Sequence, residues 1–199
     1  YKKDLESRMD ENDPFFAFVS FPDPHHPFNP PGKYWDMYRP DEFSVNLPYG
    51  AHENPIPPME HANQIWEAGE MPPISQSAFM ADDQQIREAM ALTAGMITMI
   101  DDQIGRIVKS LKDSGHYENT VIIFTSDHGD YLGDFNMLLK GPLQLPSITR
   151  VPMIWSDPKS RAAVLTEAMA STIDVSASIL DRAGLEPFNG IQGRSFLNA

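Results

Sequence analysis

Four apolar residues, Val121-Ile122-Ile123-Phe124, run directly into Thr125-Ser126-Asp127-His128-Gly129-Asp130-Tyr131-Leu132-Gly133-Asp134. This junction constrains the fold more than any other stretch of the chain. A short β-branched run without polar alternation reads as a buried parallel strand. The glycines and carboxylates that follow favour a loop. The strand therefore delivers an aspartate and a histidine, side by side, to the carboxyl edge of a sheet, where ligands bind in open α/β folds. Such a pair offers one hard oxygen and one imidazole nitrogen to a single cation. The same residues can instead cap and line a turn.

A second histidine-bearing junction lies upstream. Phe15-Phe16-Ala17-Phe18-Val19-Ser20-Phe21 precedes Pro22-Asp23-Pro24-His25-His26-Pro27-Phe28, and residues 14–21 read as another strand. The three prolines fix φ and push each preceding residue towards extended geometry. The loop thus holds two imidazoles with little entropic freedom, as a positioned acid or anion contact requires. The plainer alternative is that the histidines cover apolar surface beside Phe28.

Between these junctions the chain changes character. Residues 29–79 form a proline-rich excursion, in which Pro55, Pro57, Pro58, Pro72 and Pro73 are expected to exclude long regular elements. Loops this long are often functional. Tyr34, Trp35, Tyr38 and Trp66 are candidates to line a pocket or to anchor the loop. From Ala81 to about Ser114 a long helix is expected, with Leu92, Met96, Met99, Ile100, Ile104, Ile107, Val108 and Leu111 on one stripe. Asp82 or Asp83 would cap it, Gly115 would end it, and Asp102 would pair with Arg106 one turn on. Strands over 120–125 and 151–155 follow, then a helix over 172–183 closed by Gly184. This alternation predicts an α/β fold with a mostly parallel sheet and helices on both faces.

Composition narrows the partners. The 28 acidic and 15 basic residues give a net charge of −13, which argues against nucleic acid and anionic membranes. An anionic substrate would then need a divalent cation and a few fixed positive groups close by. No apolar run reaches the length of a membrane span, so membrane insertion is not expected. With no cysteine there is no disulfide in this stretch, and the sequence assigns no compartment.

Read together in order, these words resemble the sulfatase family of the alkaline-phosphatase superfamily, near its phosphonate monoester hydrolase-like branch. The similarity is carried by Phe15 to Phe28, Pro30-Pro31-Gly32-Lys33-Tyr34, the helix around Ala94 to Leu111, and Thr125 to Asp130. It continues through Leu132-Gly133-Asp134, Lys140-Gly141, Arg150 to Ile154, Ile173-Asp174-Val175 and Gly190 to Ser195. The implied fold is an alkaline-phosphatase-like sandwich, incomplete in this chain. The family nucleophile, a Cys or Ser in Cys/Ser-x-Pro-x-Arg that is converted to formylglycine, has no counterpart here, nor has the family's early Asp-Asp metal pair. The chain, opening at Tyr1, is expected to be the carboxyl-terminal part of a single catalytic domain spanning 1–199, with formylglycine upstream and no turnover by itself.

The resemblance implies roles residue by residue. Asp127 and His128 match metal ligands, with Ca²⁺ favoured and Mn²⁺ or Zn²⁺ compatible with the nitrogen donor. Lys140 matches the lysine that contacts the transferred group. His25 matches the first histidine of a Pro-His-x-Pro loop, implying substrate contact or leaving-group protonation, with His26 as a second substrate contact. Asp130 and Asp134 are expected to brace the loop, while Phe135 stands where many members carry a histidine. His52, His61 and His116 read as surface residues. The implied activity is metal-dependent sulfuric ester hydrolysis of a small anionic ester, and homo-oligomers are compatible with it. A phosphonate monoester or phosphodiester hydrolase is the near alternative. A non-catalytic metal- or anion-binding protein on the same fold is the alternative of another class.

Overall fold

The computed structural model describes residues 14–71 and 77–197; Tyr1, Pro72 and Pro73 lie outside them. Two compact units emerge. One runs to Thr120 and resumes over His128–Arg150; the other comprises Val121–Asp127 and the chain from Val151.

The first unit is organised by helices. Helix α1 (Pro57–Glu67) lies inside the proline-rich excursion, where the sequence predicts no long element. Pro57 and Pro58 open it rather than break it, because the first helical positions have no N–H to lose to an intrahelical bond. Strand β1 (Phe79–Met80) then leads to the long helix α2 (Asp83–Asp113). Asp82 caps α2 by accepting the Gln85 N–H at 2.8 Å, and the Gln85 side chain accepts the Asp82 N–H at 3.2 Å. Such reciprocal caps satisfy two of the donors every helix start leaves over.

The apolar stripe of α2 is buried at Ile86, Ala89, Met96 and Ile100, while Ile107 is exposed. The expected Asp102–Arg106 pair does not form. Asp102 instead accepts from Lys33 at 2.9 Å and from the Tyr34 hydroxyl at 2.6 Å, and Arg106 donates to Gln103. Tyr38 reaches Thr98 at 2.8 Å. Tyr34 and Tyr38 are therefore anchors of the excursion, whereas Trp35 is exposed. A second short strand, Met137–Leu138, pairs antiparallel with β1 and completes the core around Met59, Met80, Tyr131, Met137, Leu143 and Ile148.

In the other unit, strand β2 (Ile122–Thr125) ends two residues before Asp127. Its partner in this unit is the strand Met153–Ser156, antiparallel, with Ile122 opposite Ser156 and Thr125 opposite Met153. Every strand pair among the described residues is antiparallel, so the parallel pairing predicted from the β-branched runs is not found here. Residues 14–21 also pair with no strand among the described residues. Phe16 and Phe18 stand more than three-quarters exposed, since β-propensity stabilises a strand only where a neighbour supplies a ladder.

Strand β3 (Met137–Leu138) and the one-turn helix α3 (Pro146–Thr149) belong to the first unit; strand β4 (Met153–Ser156) and helix α4 (Thr172–Ala183) belong to the second. Helix α4 lies where the periodicity puts it. Ser171 and Asp174 form its capping box, and Gly184 closes it at φ 70°, a left-handed conformation natural to glycine. Asp157 is buried against Arg182, which donates to both its oxygens at 2.5 and 3.0 Å. That fork holds the Asp157 carboxyl down at about 2. No described helix is long and apolar enough to cross a membrane.

Candidate active site

The proline loop is held from both ends. The His25 N–H donates to the Pro22 carbonyl at 3.1 Å, and Phe28 packs against the buried cluster of Ala81, Ile86, Ala89, Leu138 and Leu139. Both Asp23–Pro24 and His26–Pro27 are cis. The two imidazoles stack with centroids 4.0 Å apart.

His25 is exposed, and its Nδ1 lies 2.6 Å from the His26 carbonyl oxygen. A carbonyl can only accept, so Nδ1 carries the proton and Nε2 is left as the chemically variable nitrogen. His26 is half-buried, and its Nδ1 has no hydrogen-bond partner among the described residues. Burial lowers its proton affinity first, and the charges of His25 and Lys140 lower it further. His26 is thereby kept neutral beside a fixed cation.

The segment from His128 to Gly141 is the most contorted of the described chain. Leu132, Gly133, Phe135, Asn136 and Leu139 all adopt positive φ, a cost that persists only where the surroundings over-determine it. Those surroundings are identifiable. The Gly129 N–H donates to the Ile148 carbonyl at 2.9 Å, Tyr131 to Leu139 at 2.8 Å, and Gly133 to Met137 at 2.8 Å. Buried Tyr131 uses its hydroxyl twice on Leu143, accepting the N–H at 3.0 Å and donating to the carbonyl at 3.2 Å. Gly129 has no alternative, because a Cβ there would run into the Ser147 carbonyl oxygen.

Within this turn Asp130 accepts the Leu132 N–H at 2.9 Å, as the sequence suggests for a loop brace. Burial raises its proton affinity, opposed by the N–H groups of Leu132 and Leu139 and by the charges of Lys140 and His128. Asp134 contributes through its backbone, closing the turn on the Tyr131 carbonyl. Lys140 is half-buried, and its charge acts on both His26 and Asp130.

The structure thus brings His25, His26, Asp130 and Lys140 of the first unit into one electrostatic neighbourhood, with His128 acting on Asp130. His128 is exposed, and its Nδ1 lies 2.7 Å from the Gly129 carbonyl. The loop's own carbonyl thus orients the ring through Nδ1, and Nε2 is the nitrogen by which a metal would be held. Asp127, exposed at the end of its segment, supplies a carboxylate whose Oδ1 lies 3.3 Å from Ser126 Oγ. Among the described residues no three His, Asp or Glu groups gather in a metal-binding cluster. The donor types of Asp127 and His128 therefore fit part of a coordination sphere.

Two features escaped the sequence reading. Asn136, at φ 60°, accepts the Tyr49 N–H at 2.7 Å and donates to the Ala81 carbonyl at 3.2 Å, tying the turn to the excursion and to the start of α2. Asparagine's tolerance of the left-handed region is the clue that could have found it. His52 and His116 are half-buried rather than on the surface. His52 meets Phe135 with centroids 5.0 Å apart, so Phe135 spends its ring on packing. Of the aromatic candidates, Trp66 lines an apolar groove of about 590 Å³ with Phe28, Ile65, Phe79, Leu92 and Leu138.

Comparison with known proteins adds an independent line. The Sulfatase family model matches residues 4–185. An arylsulfatase of Clostridium perfringens is 32% identical over 197 residues, covering 96% of this chain and 38% of the relative. A multifunctional alkaline phosphatase superfamily protein, PehA, of Trinickia caryophylli is 33% identical over 193 residues, covering 92% and 37%. The crystal structure of the phosphonate monoester hydrolase of Agrobacterium radiobacter superposes with a TM-score of 0.79 at 30% identity, over 97% of this chain and 39% of that one. The phosphonate monoester hydrolase of Silicibacter pomeroyi gives 0.78 at 25% identity, over 98% and 39%. The chain thus spans about two-fifths of the length of the curated relatives it matches.

Proposed function

The chain belongs to the sulfatase family, and on that premise we propose that it supplies part of the active site of a metal-dependent sulfuric ester hydrolase. Asp127 and His128, neighbours in the chain, would hold a divalent ion, Ca²⁺ by family habit, with Mn²⁺ or Zn²⁺ suited to the imidazole donor. When bound, such an ion supplies Lewis acidity towards the ester oxygens and a lowered pKa for the nucleophile. The nucleophile itself would be a formylglycine outside residues 1–199, so these residues would form the carboxyl-terminal part of the catalytic domain. The full sheet of that domain would be the mostly parallel one.

The observation that supports this most is the convergence on Lys140. Hydrolysis of a sulfate ester requires a cation beside the nonbridging oxygens and a proton for the leaving oxygen. Lys140 provides the first as a compact ammonium. His25 provides the second through Nε2, its other nitrogen being occupied by the loop's own carbonyl. Neutral His26 can hydrogen-bond the anion without adding a charge that would repel Lys140. In a chain of net negative charge, the Lys140 ammonium is where a small anionic ester would be held.

The test is hydrolysis of aryl sulfate and aryl phosphonate monoesters by the protein expressed from its native gene, with intact mass read for formylglycine. Replacing Asp127 and His128 by Ala should remove bound metal and lower turnover at least about 10³-fold, given the charge such an ion stabilises. Unchanged turnover would overturn the proposal. Faster cleavage of the phosphonate ester would favour the second reading, which the two phosphonate monoester hydrolase structures encourage.

A further inference from the structure

We propose that Gly95 and Asp102, two turns apart on one face of α2, are positioning residues that aim the His25 imidazole by docking the arm of chain that follows the two histidines. The inference deepens the proposed function and rests on His25 protonating the leaving oxygen.

The arm begins at the carbonyl that orients the ring. His25 Nδ1 donates to the His26 carbonyl at 2.6 Å, and that carbonyl belongs to the peptide entering Pro27. From there the chain reads Pro27-Phe28-Asn29-Pro30-Pro31, so three of these five residues have φ locked by their own ring. Phe28 packs on the cluster of Ala81, Ile86, Ala89, Leu138 and Leu139, and Pro30 is fully buried. Gly32, at φ 56°, then leads into the single turn Gly32–Tyr34. With so few soft dihedrals between them, the seat of that turn decides where the His26 carbonyl lies.

Helix α2 receives the turn on a stripe spaced i, i+3 and i+7. Gly95 is buried, and a Cβ there would run into the Tyr34 carbonyl oxygen and sit 3.3 Å from Pro30. Glycine is a poor helix-interior residue, and nothing larger fits at 95. At Gly105 of the same helix an added Cβ would meet nothing within 4 Å. One turn beyond Gly95, Thr98 Oγ1 lies 2.8 Å from the Tyr38 hydroxyl. A further turn on, one oxygen of Asp102 accepts from Lys33 at 2.9 Å and from the Tyr34 hydroxyl at 2.6 Å. The close approach at Gly95 sets how deep the arm sits, and the bonds to Asp102 set its direction. Neither residue is among the groups that would touch the ester, so both act through His25.

The test uses the protein expressed from its native gene and two aryl sulfates. The phenolate released from 4-nitrophenyl sulfate needs little protonation, whereas that from phenyl sulfate needs it most. His25→Ala should slow phenyl sulfate by about 10²–10⁴-fold and the nitrophenyl ester far less. Gly95→Ala should reproduce this split in kcat, with a loss of about 10²-fold on phenyl sulfate, the effect of a small misplacement. Asp102→Ala should show the same split more weakly, and Gly105→Ala should change neither ester. Added to His25→Ala, Gly95→Ala should cost nothing more. Equal slowing of both esters by Gly95→Ala and Asp102→Ala, or a further loss on top of His25→Ala, would overturn the inference. Hydrogen exchange reads the docking without turnover. The Tyr34 and Trp35 N–H groups donate to the Pro31 and Gly32 carbonyls at 3.3 and 3.2 Å. They should exchange faster in Asp102→Ala, where alanine keeps the helix, and unchanged exchange would sink the docking by itself. A His25→Ala variant without the split would remove the premise and the inference with it. A split at His25 that is missing at Gly95 and Asp102 would overturn the inference alone.

Discussion

Asp130, in the turn after His128, and Asp174, in the first turn of α4, both receive backbone N–H groups. Asp130 takes that of Leu132 at 2.9 Å; Asp174 takes those of Ser171 at 2.9 Å and Arg194 at 2.8 Å. Their proton affinities nevertheless move in opposite directions. At Asp174 the hydrogen bonds from Arg194 and Ser171 outweigh burial and lower it. At Asp130 burial dominates and raises it, although Leu132, Lys140, Leu139 and His128 all pull the other way. A scaffold carboxylate is placed where ionisation helps the fold. One that is half-buried beside a lysine and a histidine is placed against the interest of the fold, as groups at functional sites commonly are.

The glycines of the two regions offer the strongest way to break this comparison. A Cβ on Gly129 would meet the Ser147 carbonyl oxygen, and one on Gly193 would meet the Ile173 carbonyl oxygen. Backbone cannot swing aside as a side chain can, so each Gly→Ala substitution should cost roughly 3 kcal/mol, the upper end of overpacking. Denaturant midpoints should fall alike in both. Metal content and ester hydrolysis, measured at a temperature where both variants remain folded, should fall only in Gly129→Ala, whose neighbour is His128. Equal loss in Gly193→Ala would erase the division into site and scaffold.

The ion pair Asp157–Arg182 gives a smaller effect, confined to the scaffold side. Asp157 is held at about 2, well below the usual carboxylate range. Its folded pKa is depressed, so its contribution is fully present above pH 4 and is lost as pH falls towards 2. Asp157→Asn should cost about 1–2 kcal/mol at pH 7, a figure discounted because Arg182 is partly solvated. The difference from the parent should vanish near pH 2 in urea titrations. Any accompanying change in sulfate inhibition would mean that the two regions are coupled.

Which parts could be read in advance follows from where the information sits. Helices α2 and α4 were legible because caps and periodicity are local: Asp82 at the start of the one and Gly184 at the end of the other. The chain's histidine and lysine motifs were legible as words in a fixed order. Strand pairing was not, because β-branched residues at 121–123 state burial but not partner direction, and the run at 15–21 pairs with nothing described. Helix α1 was missed because proline breaks helix interiors but suits helix starts, and the sequence alone did not say which place Pro57 and Pro58 held. Asp102 was assigned to Arg106 by spacing, yet Lys33 and Tyr34, far off in sequence, reached it first.

The finest test returns to the two carboxylates and asks for opposite signs. Asp174 has a folded pKa below 3.8, so its stabilisation is present above that value and lost as pH falls through the folded pKa. Asp174→Asn should leave the Tm unchanged in acid and lower it increasingly towards neutrality. Asp130 has a folded pKa above 3.8, so its ionisation in the fold grows more costly as pH rises through that pKa. Asp130→Asn keeps an oxygen for the Leu132 N–H and removes the buried charge. Its Tm, recorded in chelator so that bound metal does not contribute, should match the parent in acid and exceed it near neutrality. A substitution that stabilises the fold while weakening hydrolysis is what a carboxylate retained for its neighbours, rather than for the fold, would give. Two Tm curves that fall together would instead make Asp130 another cap.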